Sequence, residues 1–168
     1  MIYEEDVFLR FRGGRILLDA NILLLLLIGS FERSRIAQFK RTAGFSEFEF
    51  DQLVGFLRAF TQIVTTPHIL TEVSNLGNAL PEHLKGSWGD HFAIRAGSFV
   101  EVFEKSKSLM EGPVFRVFGL TDAAIHSLAA DTLILTEDFR LSGFLRARKL
   151  PVLNFRDLVT LSRLRLHG

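Results

Sequence analysis

Apolar residues form short continuous runs that alternate with segments in which apolar positions recur every three or four residues. A continuous aliphatic run predicts a buried strand of a parallel sheet, whereas the longer spacing predicts a helix with one apolar face. Strands are predicted at residues 16–18, 62–65, 114–118, 132–135 and 151–153. Their alternation with helices predicts an α/β fold, a three-layer α/β/α sandwich around a mostly parallel sheet of about five strands.

Helix-start signals support this pattern. Ser46 and Glu49 have the spacing of a capping box, and Thr66 followed by Pro67 is typical of a helix start. Further helices are predicted over residues 23–28, 31–41, 92–110, 122–130, 141–149 and 155–164, with Thr121 and Asn154 as caps. Residues 1–14 are predicted to be a short lead-in, and residues 82–90 to be irregular.

The composition favours a soluble globular protein. Hydrophobic residues make up 48% of the 168 residues and charged residues 23%, which fits a single domain over 1–168. The chain has no cysteine, which excludes disulfides, thiolate catalysis and thiolate zinc sites. The longest apolar run, residues 22–28, is well short of the ~20 residues that span a membrane, and the acidic start differs from a signal peptide. We therefore expect a cytoplasmic protein without a membrane partner.

One carboxylate, Asp19, interrupts the most aliphatic stretch of the chain, residues 15–29. A charge in such surroundings is unfavourable unless it is compensated. Three further acids, Glu72, Asp122 and Asp138, lie after later predicted strands. Ligands of an open parallel sheet bind beyond the carboxyl ends of its strands, so the four acids are predicted to converge there.

Each acid alone has a simpler explanation, because backbone N–H groups, solvent or a helix dipole can stabilise a single carboxylate. Four carboxylates in one cleft repel each other, and a divalent cation removes that conflict. Oxygen ligands suit Mg²⁺ or Mn²⁺, and such a site can activate water and stabilise a phosphoryl group. The acids therefore predict metal-dependent phosphodiester hydrolysis.

Four segments, LLDANILL, TPHILTEV, LTDAAI and ILTEDFRL, occur in this order between about residues 15 and 155. They resemble the four motifs of PIN domains, small α/β/α nucleases that include ribonuclease toxins of toxin–antitoxin pairs. The resemblance implies that Asp19, Glu72, Asp122 and Asp138 are the catalytic metal ligands. It also implies that Asn21 and Thr136 orient those ligands.

The resemblance also implies the partners. RNA would be the substrate, a toxin would bind an antitoxin protein, and the chain would form a homodimer, for which the 17 phenylalanines offer an apolar surface. An RNA-binding or protein-interaction module that keeps the PIN fold without cleavage is the alternative. A toxin whose cleft is covered by its partner is a third possibility.

Basic residues are candidates for substrate contact. Arg140, Arg146 and Arg148 belong to a basic C-terminal part, and basic groups beside an acidic metal site would position a phosphate backbone. A second basic segment contains Arg33, Arg35, Lys40 and Arg41. Both segments are equally compatible with ordinary solvated helix faces. The roles of His68, Asn75 and Glu137 stay open.

Overall fold

The computed structural model describes residues 3–166, with side chains described as far as residue 163. Its centre is a five-stranded sheet in which every pairing is parallel. The strands are β1 (Arg15–Leu18), β2 (Gln62–Thr65), β3 (Val100–Glu101), β4 (Leu133–Thr136) and β5 (Val152–Asn154). The predicted α/β class and parallel sheet are confirmed.

Helices fill the connections between the strands. They are α1 (Tyr3–Phe11), α2 (Ala20–Phe31), α3 (Arg35–Gln38), α4 (Glu47–Leu57), α5 (Pro67–Gly77), α6 (Lys85–Ala96), α7 (Ser106–Glu111), α8 (Pro113–Phe118), α9 (Leu120–Leu128), α10 (Phe139–Ala147) and α11 (Phe155–Leu166). A 3-10 turn, Glu82–Leu84, precedes α6. In the described part of the chain, no helix has both the length and the apolar character needed to cross a membrane.

The strands lie in the order β3-β2-β1-β4-β5. The chain therefore moves outward in one direction from β1 to β3, and in the opposite direction from β4 to β5. Because parallel crossovers are right-handed, opposite directions place their helices on opposite faces, consistent with the predicted three-layer sandwich. The order reverses between β1 and β4, and such a switch point is where open α/β sheets bind ligands.

The core surrounds the central strands and α2. Leu17, Ile134 and Leu153 are fully buried on β1, β4 and β5, which explains why these strands are apolar at successive positions. Every residue of α2 from Ile22 to Ile28 is buried, because the helix packs against α4, α5 and α6 as well as the sheet. A helix that is apolar all round belongs in the core, so the leucines keep the start of α2 in a fixed position.

Two predicted elements between residues 92 and 118 are wrong. The predicted helix over 92–110 ends at Gly97, and the chain then forms β3, an unpredicted edge strand that pairs with β2. The predicted strand 114–118 is helix α8, which Pro113 starts and Gly119 ends with φ +94°. Proline fixes φ at a helical value, so this local start overrode the strand preference of the valines and phenylalanines.

Smaller corrections concern helix limits. The predicted lead-in is helix α1, with residues 1 and 2 outside the described part of the chain. The region over 82–90, predicted to be irregular, lies largely in α6. Within 31–41, Phe31 ends α2 and only Arg35–Gln38 forms a further helix. Gly119 takes the cap position predicted for Thr121, without a side-chain cap bond. The starts at Ser46 and Thr66 are confirmed, each side chain accepting a backbone N–H bond.

Candidate functional site

Asp19 lies directly after β1 at the switch point of the sheet. Its N–H donates to the carbonyl of Leu135 on β4 (3.0 Å), which extends the strand pairing by one residue. Its Oδ1 accepts the N–H of Ile22 (2.8 Å) and caps α2, while Oδ2 accepts the N–H of Glu137 (3.1 Å) and the hydroxyl of Thr136. With 7% of its surface exposed, Asp19 is fixed by backbone donors in an otherwise apolar environment.

Thr136 connects Asp19 to the next acid. Its buried hydroxyl donates to Asp19 Oδ2 and accepts the N–H of Asp138 (2.9 Å). Asp138 in turn caps α10, because its Oδ1 accepts the N–H groups of Arg140 (2.7 Å) and Leu141 (3.1 Å). The ends of β1 and β4 therefore place two carboxylates beside each other, one buried and one exposed.

Glu72 and Asp122 come from helices that pack beside this pair. Glu72 is exposed on α5, and α5 packs against both α2 and α9. Asp122 is in the first turn of α9, after the corner at which Gly119 turns the chain from α8 into α9. The prediction that every acid follows a strand is therefore wrong for Asp122, which is positioned by helix packing.

The pKa of Asp122 depends on the charges of the other three acids. Burial raises the pKa of Asp122 to about 7, and the charges of Asp138, Asp19 and Glu72 contribute to the rise in that order. Burial also raises the pKa of Asp19 to about 6, against the opposing effect of hydrogen bonds from Thr136, Ile22 and Glu137. The charges of the other three acids thus disfavour ionisation of Asp122, which is the repulsion expected between neighbouring carboxylates.

No protein cation relieves this repulsion among the described residues. The ion pairs between residues 3 and 163 include none of the four acids. The neighbouring carboxylate of Glu137 differs, because it binds the guanidinium of Arg156 (2.9 Å). Of the two adjacent acids Glu137 and Asp138, only Asp138 therefore belongs to the uncompensated cluster.

The chemistry of the donor set fits a hard divalent cation, since four carboxylates supply oxygen ligands. Across the described part of the chain, however, no group of three or more Asp, Glu or His side chains is arranged so that it could hold a metal ion. Asp19 and Asp138 are held by hydrogen bonds, whereas Glu72 and Asp122 make none with described residues. The site thus combines two fixed carboxylates with two whose side chains have no hydrogen-bonding partner to hold them.

The other predicted residues lie around this cleft or away from it. Asn21 is exposed in the first turn of α2. The guanidinium groups of Arg140 and Arg148 lie over the rings of Phe118 (5.5 Å) and Phe144 (3.5 Å). Arg146 pairs with Glu4 on α1 (3.0 Å) and lies over the Tyr3 ring (4.2 Å), so these three arginines already contact protein groups.

A groove of about 630 Å³ extends from Glu72 along α5. Its walls come from α5, from the loop between β3 and α7, and from the start of α9. Phe103 and Arg41 line it. The sequence pattern predicted Phe103 to lie on the apolar face of the helix over 92–110 and indicated no functional role for it. The signal that could have found this loop is Gly97-Ser98 followed by Val100, a helix end and a strand-forming residue within the predicted long helix.

Comparison with known proteins finds no matching family model, no matching curated protein and no matching solved structure. PIN membership therefore stays a prediction from the four sequence motifs.

Proposed function

We propose that this chain is a metal-dependent nuclease of the PIN type that hydrolyses phosphodiester bonds in RNA. One observation carries the proposal. Asp19 and Asp138 are joined through Thr136 at the switch point of the sheet, the charges of Asp138, Asp19 and Glu72 raise the pKa of Asp122, and no ion pair among the described residues includes any of these acids. RNA is preferred over DNA because of the resemblance to PIN motifs.

Repulsion among neighbouring carboxylates destabilises the folded protein when no cation is bound, and binding of a cation removes that repulsion. The pKa of Asp122, raised to about 7, means that this acid is protonated below neutral pH while the cleft lacks a cation. Binding of a divalent cation favours the ionised carboxylates and releases that proton. The exposed acid Asp131 differs, because its carboxylate already pairs with the guanidinium of Arg15.

The residues have distinct roles in this proposal. When bound, Mg²⁺ or Mn²⁺ supplies positive charge and Lewis acidity for the attack of water on phosphorus. Asp19, Asp138, Glu72 and Asp122 would hold the cation, the first two from positions that their hydrogen bonds fix. Thr136 holds Asp19 in one orientation, which is the role of hydrogen-bonding partners around metal ligands.

The first experiment measures cleavage of single-stranded RNA and DNA oligonucleotides by purified protein with Mg²⁺, with Mn²⁺ and with excess EDTA. We expect cleavage only with metal. Asp19→Asn and Asp122→Asn should lower the rate by about 100-fold or more, because loss of even an outer hydrogen-bonding partner costs a metal site 10- to 100-fold. Asp131→Asn, at an exposed acid paired with Arg15 away from the cluster, is the matched control.

Calorimetric titration with Mn²⁺ tests the cation site directly. Wild-type protein and Asp131→Asn should bind Mn²⁺, and Asp122→Asn should bind it more weakly. Full activity of Asp19→Asn with metal, or full activity of the wild type in excess EDTA, would reject the mechanism. No Mn²⁺ uptake at millimolar concentration would instead favour a silent RNA-binding or protein-interaction module.

A further inference from the structure

The groove beside Glu72 contains an aromatic ring that is not buried in the core. Phe103 lies in the loop between β3 and α7 and is 73% exposed. Single exposed apolar residues are common on protein surfaces and need no explanation. Phe103 differs because it lines the same groove as Glu72, which belongs to the acidic cluster.

The same groove contains a cation that forms no ion pair with the described residues. Arg41 lines it and is exposed, and its guanidinium forms no ion pair with any described residue. Two other arginines of this basic segment are committed elsewhere: Arg33 pairs with Glu47 and Asp51, and Arg35 pairs with Glu32. Arg41 is therefore free to bind an anion.

The remaining walls are suited to a mixed apolar and polar ligand. Leu76 and Leu120 supply apolar surface, and Asn75 supplies an amide that both donates and accepts hydrogen bonds. His68 Nε2 and Ser106 Oγ lie 2.9 Å apart, and their hydrogen bond joins α5 to α7 across the groove. This bond keeps the loop that carries Phe103 close to α5.

We propose that this groove binds a segment of single-stranded nucleic acid, with one base stacked on Phe103 and a backbone phosphate paired with Arg41. An aromatic face combined with a cation is the usual means by which proteins bind single strands. The bases of a duplex are stacked on each other, so they cannot stack on a protein ring. The direction of the strand, from the groove toward the four acids, rests on the proposed nuclease function.

The test measures binding apart from cleavage. Fluorescence anisotropy in EDTA at low salt, with labelled single-stranded and duplex RNA of the same sequence, gives affinities without hydrolysis. We expect preference for the single strand. Phe103→Ala should weaken binding about 5- to 100-fold, and Phe103→Tyr, which keeps an aromatic face, should restore it. Arg41→Gln should reduce the salt dependence of binding by about one released counterion.

Two surface variants serve as matched controls. Ile94 is 74% exposed, like Phe103, and does not line the groove. Arg58 is exposed and forms no ion pair within residues 3–163, like Arg41, and lines a different cavity. Ile94→Ala and Arg58→Gln should bind like the wild type, and thermal unfolding should show that every variant is folded.

The outcomes separate this inference from the nuclease proposal. Equal affinity of Phe103→Ala, Arg41→Gln and the controls would overturn the groove assignment, even if metal-dependent cleavage is found. Absence of any single-strand preference would overturn it as well. Loss of binding in the two variants without any cleavage by the wild type would support the groove and reject the nuclease.

Discussion

At the scale of single residues, Asp19 is placed by hydrogen bonds. Burial raises its pKa, and three donors, Thr136, Ile22 and Glu137, act in the opposite direction. Thr136 matters twice, because its hydroxyl binds Asp19 as a donor and the N–H of Asp138 as an acceptor. One side chain thus sets the relative position of two acids that are far apart in sequence.

The raised pKa values predict how the stability of the metal-free protein depends on pH. Asp122 and Asp19 titrate at about 7 and about 6 in the folded protein, above the ordinary value of 3.8. Between the ordinary and the raised pKa values, the folded protein binds more protons than the unfolded chain. The stability that these two acids contribute is therefore lost as the pH rises through that range. We expect Asp122→Asn to raise the thermal midpoint in EDTA at about pH 8, relative to wild type, and to raise it less at about pH 5.

His91 and His126 have lowered pKa values, so their contributions to stability change with pH in the opposite direction. Both histidines are present in the wild type and in the variant, so the difference between the two proteins reports on Asp122. Asp131→Asn is the control and should leave the pH dependence of the thermal midpoint unchanged. An Asp122→Asn midpoint that follows the wild type at every pH would contradict the coupling of the four acids.

At the scale of elements, close packing around α2 fixes the site. Gly29 lies where α2 meets α4, and a Cβ there would overlap the ring of Phe50. Gly77 at the end of α5 is equally close to the indole of Trp88 on α6. The absence of a side chain at these positions lets α4 pack closely on α2, which follows Asp19, and lets α6 pack closely on α5, which carries Glu72.

This packing predicts opposite effects for two glycine substitutions. Gly29→Ala should lower the free energy of unfolding by about 1–3 kcal/mol, because the added methyl displaces Phe50. Gly55→Ala, on α4 with open space around it, should raise it by about 0.5–1 kcal/mol, because alanine favours a helix more than glycine does. Urea denaturation measures both, and a stabilised Gly29→Ala variant would contradict the close contact.

At the scale of the whole molecule, Arg156 ties the last helix to the acidic cleft. Its guanidinium pairs with Glu49 on α4 (2.8 Å) and with Glu137 beside Asp138 (2.9 Å), and it lies over the ring of Phe45 (4.3 Å). Glu49 is 7% exposed, so it depends on this cation. The start of α11, the start of α4 and the loop after β4 are thereby joined.

Arg156 and Arg33 each bind two carboxylates, but Arg156 is more buried and also contacts the ring of Phe45 and the carbonyl of Gly44. The Arg156 side chain is 33% exposed and the Arg33 side chain is 47% exposed, with partners that are about half exposed. Arg156→Ala should lower the free energy of unfolding by about 2–3 kcal/mol, because Glu49 is left buried without a cation. Arg33→Ala should lower it by less than about 1 kcal/mol. Equal losses in chemical denaturation would contradict the role of Arg156.

The sequence by itself determined the parallel α/β class and the helix starts at Ser46 and Thr66. It did so because burial periodicity and capping depend on neighbouring residues, which the sequence shows directly. It also indicated four acids in order, and Asp19 stood out because charge is rare in an aliphatic run. Local patterns failed where a distant partner decides: β3 is a strand only because β2 offers it an edge to pair with.

The tertiary structure decided how the acids are positioned relative to one another. Asp122 enters the cleft from a helix corner through the packing of α5 on α9, which no periodicity records. Packing likewise brought Arg156 to Glu137 and set Phe103 and Arg41 in one groove. Such contacts join residues that are distant in the chain, so their energies depend on the fold as a whole.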